Sequence, residues 1–91
     1  MIQVINNDVK RDSVKIGWIS GDHLFDRNGD KIAYFTSNEA FGMDGKKIAH
    51  IDGDYVYYPK NNTKVRIEDN NKLVGGLVSD ITRAAIRLLL A

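Results

Sequence analysis

The most informative absence in this 91-residue chain is cysteine, of which it has none. Disulfides, a thiolate zinc site and a cysteine nucleophile are therefore excluded, and the composition suits a reducing cytoplasm. No unbroken apolar run is longer than the four residues 88–91, far short of a membrane span. The first residues lack the basic and apolar regions of a signal peptide, so we expect a cytoplasmic protein without a membrane span.

Neither sign of charge predominates in the chain. Thirteen Lys and Arg against twelve Asp and Glu leave a formal net charge of +1. A protein that binds nucleic acid by neutralising phosphates needs an excess of basic residues on one face, so we expect no nucleic-acid partner. The length is that of one small domain, and a hydrophobic share of 43% is enough to give that domain a core.

The chain repeats itself with a period of 16 residues. Four aligned blocks carry the repeat, at about residues 16–31, 32–47, 48–64 and 65–76. Each full block opens with a β-branched residue, a small residue, a large ring and an aliphatic residue, as in the run Ile16-Gly17-Trp18-Ile19. The third block is one residue longer, and the fourth dissolves after its first half. Residues 2–15 are a candidate for a degenerate further copy.

Two turn signals divide each block. The first is a small polar pair such as Gly21-Asp22, and the second is Asn-Gly, Asp-Gly or a longer polar loop. Both favour a tight reversal of an extended chain, and two-residue links between short strands require antiparallel pairing. The sequence therefore predicts a mainly β domain over residues 1–76, built as a pseudo-symmetric array of about four antiparallel β-hairpins.

The small residue at the second position of each block has a steric interpretation. Gly17, Ala33 and Ala49 are predicted to lie where neighbouring hairpins converge on an axis and their backbones approach closely. Because side chains alternate along a strand, the flanking Ile16 and Trp18 are predicted to lie on the opposite face. Both faces then carry apolar groups, and we expect each hairpin to be covered on both sides.

After Gly75-Gly76 the spacing of apolar residues changes from two to about 3.6 residues. This spacing predicts one amphipathic α-helix within residues 77–91, capped by Ser79 and packed on the β domain. Ile86 and Leu90 lie off the main apolar stripe. The helix either covers only its own sheet or also contacts another subunit, and leftover apolar surface of this kind favours association.

No catalytic, metal-binding or cofactor-binding residues are predicted. The two histidines, His23 and His50, occupy different positions of the repeat, and His50 stands at the ring position, which favours a packing role. The acidic turn around Asp26 and Asp30 lacks both the glycine and the glutamate of a calcium-binding EF-hand loop. Phosphate-loop and dinucleotide fingerprints are absent, and we expect a protein that is not an enzyme.

We expect instead a structural or protein-interaction module that self-associates or binds a protein partner. The contact is predicted through the C-terminal helix or an edge strand, whose backbone groups are unpaired. The alternative is a module that binds a sugar or a quaternary amine on its repeated aromatic rings. The predicted interaction surface comprises Trp18, Tyr34, His50, Ile86, Leu89 and Leu90.

A resemblance to the bacterial four-fold β-flower family is carried by the aligned copies IGWISGDHLFDRNG, IAYFTSNEAFGMDG and IAHIDGDYVYY. The resemblance covers about residues 16–74 and implies a ring of β-hairpin petals with no established activity. Arg66 and Glu68 depart from its pattern. A second likeness, in Gly17-Trp18 and the turn around Asn28-Gly29, is to the choline-binding and glucan-binding repeats of Gram-positive surface proteins, whose period is longer.

Overall fold

The structure, a computed structural model, describes all 91 residues. Its elements in chain order are β1 (Ile2–Ile5), β2 (Asp8–Arg11), β3 (Val14–Ser20), β4 (His23–Asp26), β5 (Lys31–Phe35), β6 (Glu39–Phe41), β7 (Lys47–Asp52), β8 (Tyr55–Tyr58), β9 (Thr63–Arg66), α1 (Ile67–Leu73), β10 (Val74–Gly76) and α2 (Asp80–Leu89). The predicted fold class, mainly β with a C-terminal helix, is confirmed. Neither helix has the length and apolar content needed to cross a membrane.

All ten strands belong to one sheet, in the order β10-β1-β2-β3-β4-β5-β6-β7-β8-β9. Strands β1 to β9 pair antiparallel with their neighbours, whereas β10 pairs parallel with β1. The hairpins β1–β2, β3–β4, β5–β6 and β7–β8 are called petals one to four below. The sheet has two edge strands, β9 and β10, and α1 contacts both of them.

Helix α2 occupies the centre of the molecule, against the inner face of the sheet. It contacts strands β5, β6, β7 and β10 as well as α1. The inner positions of the petals are small or aliphatic and fully buried, namely Val9, Leu24, Ala33, Ala40, Ala49 and Val56. The helix contributes Ile81, Thr82, Ala84, Ala85 and Ile86 to the same core. Small residues are required at the inner positions because a helix, rather than neighbouring strand backbones, fills the axis.

The first position of each full repeat forms a β-bulge. Ile16, Ile32 and Ile48 are the residues left without a strand partner where the register shifts. An extra residue in one strand interrupts the alternation of side chains. The prediction that Ile16 lies on the face opposite Gly17 is therefore wrong: Ile16 belongs to the buried core, and a side chain added at Gly17 would press against Leu90.

Four equivalent backbone hydrogen bonds join each petal to the element that follows it. The donors are 16 residues apart: Ile19 to Asn7 at 2.8 Å, Phe35 to Asp22 at 2.8 Å, Ile51 to Asn38 at 2.8 Å and Ile67 to Asp54 at 2.9 Å. Each acceptor is the last residue of the tight link within a petal. The four-fold repetition of the sequence is thus a repetition of main-chain contacts, and it extends to the first residue of α1.

Petal one is formed by residues 2–15, the candidate for a degenerate copy. Its link, Asn6-Asn7, has positive φ at both residues, 51° and 69°. This is the conformation of the tightest hairpin turns, and asparagine tolerates it better than most residues. The missing glycine in this link is one reason why the copy is hard to recognise in the sequence.

The hairpin predicted over residues 65–76 does not form. Its first residues continue β9, and residues 67–73 are the helix α1. The acidic residues Glu68 and Asp69 lie in the first turn of this helix and Lys72 in the last, which is the favourable arrangement for a helix dipole. The same charged residues that interrupt the β pattern therefore stabilise a helix.

The fourth repeat was also aligned one residue too late. Inner partners lie nine positions apart in Leu24–Ala33, Ala40–Ala49 and Val56–Val65 alike. Val65 is consequently equivalent to the small residues Ala33 and Ala49, not to the first-position isoleucines. The third repeat only looks longer because β9 has no bulge.

Candidate functional site

Three aromatic pairs lie across neighbouring strands on the outer face of petals two to four. The ring centroids are 5.4 Å apart in Trp18–Phe25, 5.1 Å in Tyr34–Phe41 and 5.1 Å in His50–Tyr57. The first two pairs are stacked, with interplanar angles of 6° and 16°, and the third is tilted by 42°. All six rings are half-buried. We call this surface the outer aromatic face.

The 16-residue repeat places these rings together. The ring position of each block faces outward, and it pairs across the hairpin with the second member of the apolar pair that follows the first turn. In the pair Leu24-Phe25, for example, Leu24 is fully buried on the inner face and Phe25 lies outside. Phe25, Phe41 and Tyr57 were not among the predicted surface residues, although the alternation within each pair would have identified them.

Charged side chains flank the rings. Ion pairs join Lys15 to Asp8 at 3.1 Å, Lys47 to Glu39 at 2.6 Å and Lys64 to Asp52 at 3.0 Å. The Lys15 ammonium also lies 4.8 Å from the centroid of the Trp18 ring. Exposed pairs of this kind add little to stability, so their main effect is to give the outer aromatic face a mixed apolar and charged character.

The predicted surface residues do not form one surface. Trp18, Tyr34 and His50 lie together in the outer aromatic face, but Ile86 is completely buried in the core, which makes its prediction as a surface residue wrong. Leu90 packs against the core, and Leu89 is 39% exposed. An apolar stripe reveals the buried side of a helix that lies on a sheet, whereas α2 is surrounded by the sheet, β10 and α1.

The two histidines lie in the same outer rows. The His23 ring is 6.2 Å from the Tyr34 ring, and His50 packs against Tyr57 with its Nδ1 enclosed and without a hydrogen-bond partner. No three His, Asp or Glu side chains lie close enough together to hold a metal ion. The prediction that neither histidine is catalytic stays a prediction.

A buried polar cluster connects α2 to α1 and β8. The Arg87 guanidinium donates to Asn70 Oδ1 at 2.6 Å, and Asn70 Nδ2 donates to the Tyr58 hydroxyl oxygen at 3.2 Å. The Tyr58 hydroxyl in turn lies 3.4 Å from the carbonyl oxygen of Ala84. Burial raises the pKa of Tyr58, and the Asn70 hydrogen bond and the Arg87 charge oppose that effect only in part. We assign this cluster to the fixing of α1 and not to chemistry.

These observations define a class of small β protein: four hairpin petals around a central helix, with aromatic pairs on the outside. The family described as 4-fold beta flower protein matches residues 10–78, from within β2 to just before α2. The chain belongs to that family, which confirms the resemblance noted in the sequence. No curated protein and no solved structure matches it significantly.

Proposed function

We propose that this chain is a non-enzymatic protein-interaction module that self-associates, and that the outer aromatic face is its contact surface. The observation that carries the proposal is the row of three half-buried ring pairs on one face. Aromatic residues are enriched at protein interfaces and dominate their binding energy. Because stacking already holds these rings, their immobilisation on binding costs little conformational entropy.

The other two predicted contact routes have less surface to offer. Five residues of α2 are buried in the core, and Leu89 is the main apolar side chain that the helix exposes. Both edge strands, β9 and β10, contact α1, which limits the approach of a further strand. Petals two to four have no such cover on their outer side, and this supports the outer aromatic face as the contact surface.

The binding of a sugar or a quaternary amine has weaker support. A cage for a cation needs ring faces that are free to surround it. Here the Phe25 ring stacks on Trp18, and the Lys15 ammonium already lies where a ligand cation would bind. Titration with choline or simple glycans should therefore leave the fluorescence of Trp18 unchanged, whereas a saturable change would favour the ligand-binding alternative.

Sedimentation velocity over a range of concentrations tests the proposal. The test variant combines Trp18→Thr, Tyr34→Thr and His50→Thr, since threonine suits an outward strand position. The control combines Ile5→Thr and Val14→Thr, two exposed apolar positions outside the ring rows. We expect the wild type and the control to associate, and the triple variant to remain monomeric with unchanged circular dichroism.

Salt separates this contact from one made by charges. An apolar contact should persist at about 1 M salt, where the screening length falls to about 3 Å. A wild-type chain that stays monomeric at every concentration would contradict the proposal. So would a triple variant that associates as strongly as the wild type.

A further inference from the structure

The links between strands lie on two opposite rims of the molecule. The first rim carries the links within the petals, residues 6–7, 21–22, 37–38 and 53–54, and the second rim carries the connections from β2 to β3, β4 to β5, β6 to β7 and β8 to β9. This separation follows from the meander, in which successive strands run in opposite directions. The links of the first rim include Asp22 and Asp54 but no Lys or Arg.

The second rim has a basic groove of about 700 Å³ between the β6–β7 and β8–β9 connections. The residues that line it are Gly42, Met43, Asp44, Lys46, Lys47, Ile48, Pro59 and Lys60. Three lysines face one aspartate, a formal excess of two positive charges. Lys46 and Lys60 take part in no ion pair, and Met43 is 48% exposed beside them. The basic groove thus offers unpaired charge next to apolar surface.

The first rim has an acidic groove of about 390 Å³ beside α1. It is lined by Asp54, Arg66, Ile67, Glu68, Asn71 and Asp80. Three carboxylates face one arginine, a formal excess of two negative charges. Asp54 takes part in no ion pair, and the Arg66–Glu68 pair is loose, at 3.6 Å with the Glu68 side chain 69% exposed. The two grooves therefore match in size of charge and differ in sign.

Strand β7 runs from one groove to the other. Lys47, its first residue, lines the basic groove, and Asp54 follows just beyond its last residue in the acidic groove. Seven residues of extended chain span about 23 Å at about 3.3 Å per residue. Exposed charges that far apart are screened from each other at physiological salt. Neither groove can neutralise the other within one chain.

We propose that the acidic groove of one copy docks on the basic groove of a second copy, so that the chains associate head to tail. The occupant is a second copy because the chain itself presents the complementary charge, of equal size, at its opposite end. A contact between two different patches is heterologous, and it leaves a free groove at each end of the assembly. Association should then continue beyond the dimer. This contact uses none of the six paired rings, so it extends the proposed self-association without depending on the outer aromatic face.

Charge reversal at either groove provides the test. One variant carries Lys46→Glu and Lys60→Glu, and the other carries Asp54→Lys and Glu68→Lys. The control carries Lys10→Glu and Lys72→Glu, which change the net charge as the first variant does but lie outside both grooves. We expect each groove variant alone to associate about tenfold or more weakly than the wild type, since like charges then face each other.

Mixing the two groove variants distinguishes this contact from a general effect of charge. The first variant presents two acidic grooves and the second presents two basic ones, so an equimolar mixture should regain association that declines as salt is raised. Circular dichroism and thermal melts of each variant check that the fold is kept. Groove variants that associate like the wild type, or a mixture that fails to associate, would overturn the inference.

The remaining outcomes separate this inference from the proposed function. If the wild type associates and only the triple ring variant loses association, the outer aromatic face stands and the head-to-tail contact is overturned. If association is lost only in the groove variants, the reverse holds. A wild type that is monomeric yet binds a polyglutamate peptide at the basic groove would overturn the head-to-tail contact and assign the groove to an acidic partner.

Discussion

Helix α2 meets two different environments, the petals on one side and the closing segment, residues 63–76, on the other. Toward the petals it packs on small, fully buried side chains, among them Ala33, Ala40 and Ala49. Toward the closing segment it uses arginines: Arg83 Nε donates to the Val74 carbonyl at 3.1 Å, and Arg87 donates to Asn70. The first side is fixed by steric fit and the second by hydrogen bonds to buried acceptors.

The difference explains why the closing segment escapes the repeat. Strands of the petals need an inward side chain small enough for the helix to approach, and the same requirement recurs every 16 residues. The closing segment also supplies Val65 at the inner position and Ile67 at the petal-to-petal hydrogen bond. Beyond Ile67 the chain must cover the remaining side of α2, and a helix with Asn70 turned inward does so.

The largest effect should come from the helix that both sides share. Ile86→Ala removes a fully buried side chain from the core and should lower the free energy of unfolding by about 2–5 kcal/mol. Leu89→Ala, one turn further on and partly exposed, should cost about 1 kcal/mol or less. Urea unfolding of both variants checks this, and equal losses would contradict the central position of α2.

On the petal side, overpacking should destabilise the fold. Ala49→Leu places three extra carbon atoms between β7 and α2 and should cost about 1–3 kcal/mol. His50→Leu, the adjacent residue on the outer face, is the matched control and should change stability by about 0.5 kcal/mol or less. Thermal melts of the two variants compare the faces directly. An Ala49→Leu protein as stable as the wild type would show that the inner position has room to spare.

On the closing side, loss of one acceptor should have an effect of similar size. Asn70→Ala leaves the Arg87 guanidinium and the Tyr58 hydroxyl without their partner, at a cost of about 1–3 kcal/mol. Asn71→Ala, the exposed neighbour on α1, should change stability by about 0.5 kcal/mol or less. If the two asparagine variants unfold at the same urea concentration, the hydrogen bonds do not fix the closing segment.

The smallest effect concerns the pH dependence of stability. Because the pKa of Tyr58 is raised in the folded chain, the proton is held more tightly there than in the unfolded chain. The stabilisation is complete below the unfolded pKa of about 10 and is lost as the pH rises from there through the folded pKa. Stability above about pH 10 should therefore fall less steeply in Tyr58→Phe than in the wild type, as measured by urea unfolding across alkaline pH.

The petals could be predicted from the sequence because their determinants are local. Alternation of side chains and turn residues such as Gly21-Asp22 specify a hairpin within a few residues. The closing segment depends on partners far away in the chain, such as Arg87 and Asn70, which no short pattern connects. Its charged residues therefore appeared as a failing repeat when they were the start of a helix.

The candidate site divides in the same way. The ring position was predicted to face away from the small inner position, and Trp18, Tyr34 and His50 do so. Phe25 and its equivalents could have been added from alternation alone. Ile86 was misplaced because the periodicity of a helix cannot reveal how many of its sides are covered.

Amide hydrogen exchange followed by NMR tests most directly the claim that the four-fold repetition continues through Ile67. The account predicts strong and comparable protection at Ile19, Phe35, Ile51 and Ile67, whose amides make the equivalent hydrogen bonds. If Ile67 instead exchanged as fast as an exposed loop amide such as that of Lys60, while the other three stayed protected, the repetition would end with petal four and the claim would be contradicted.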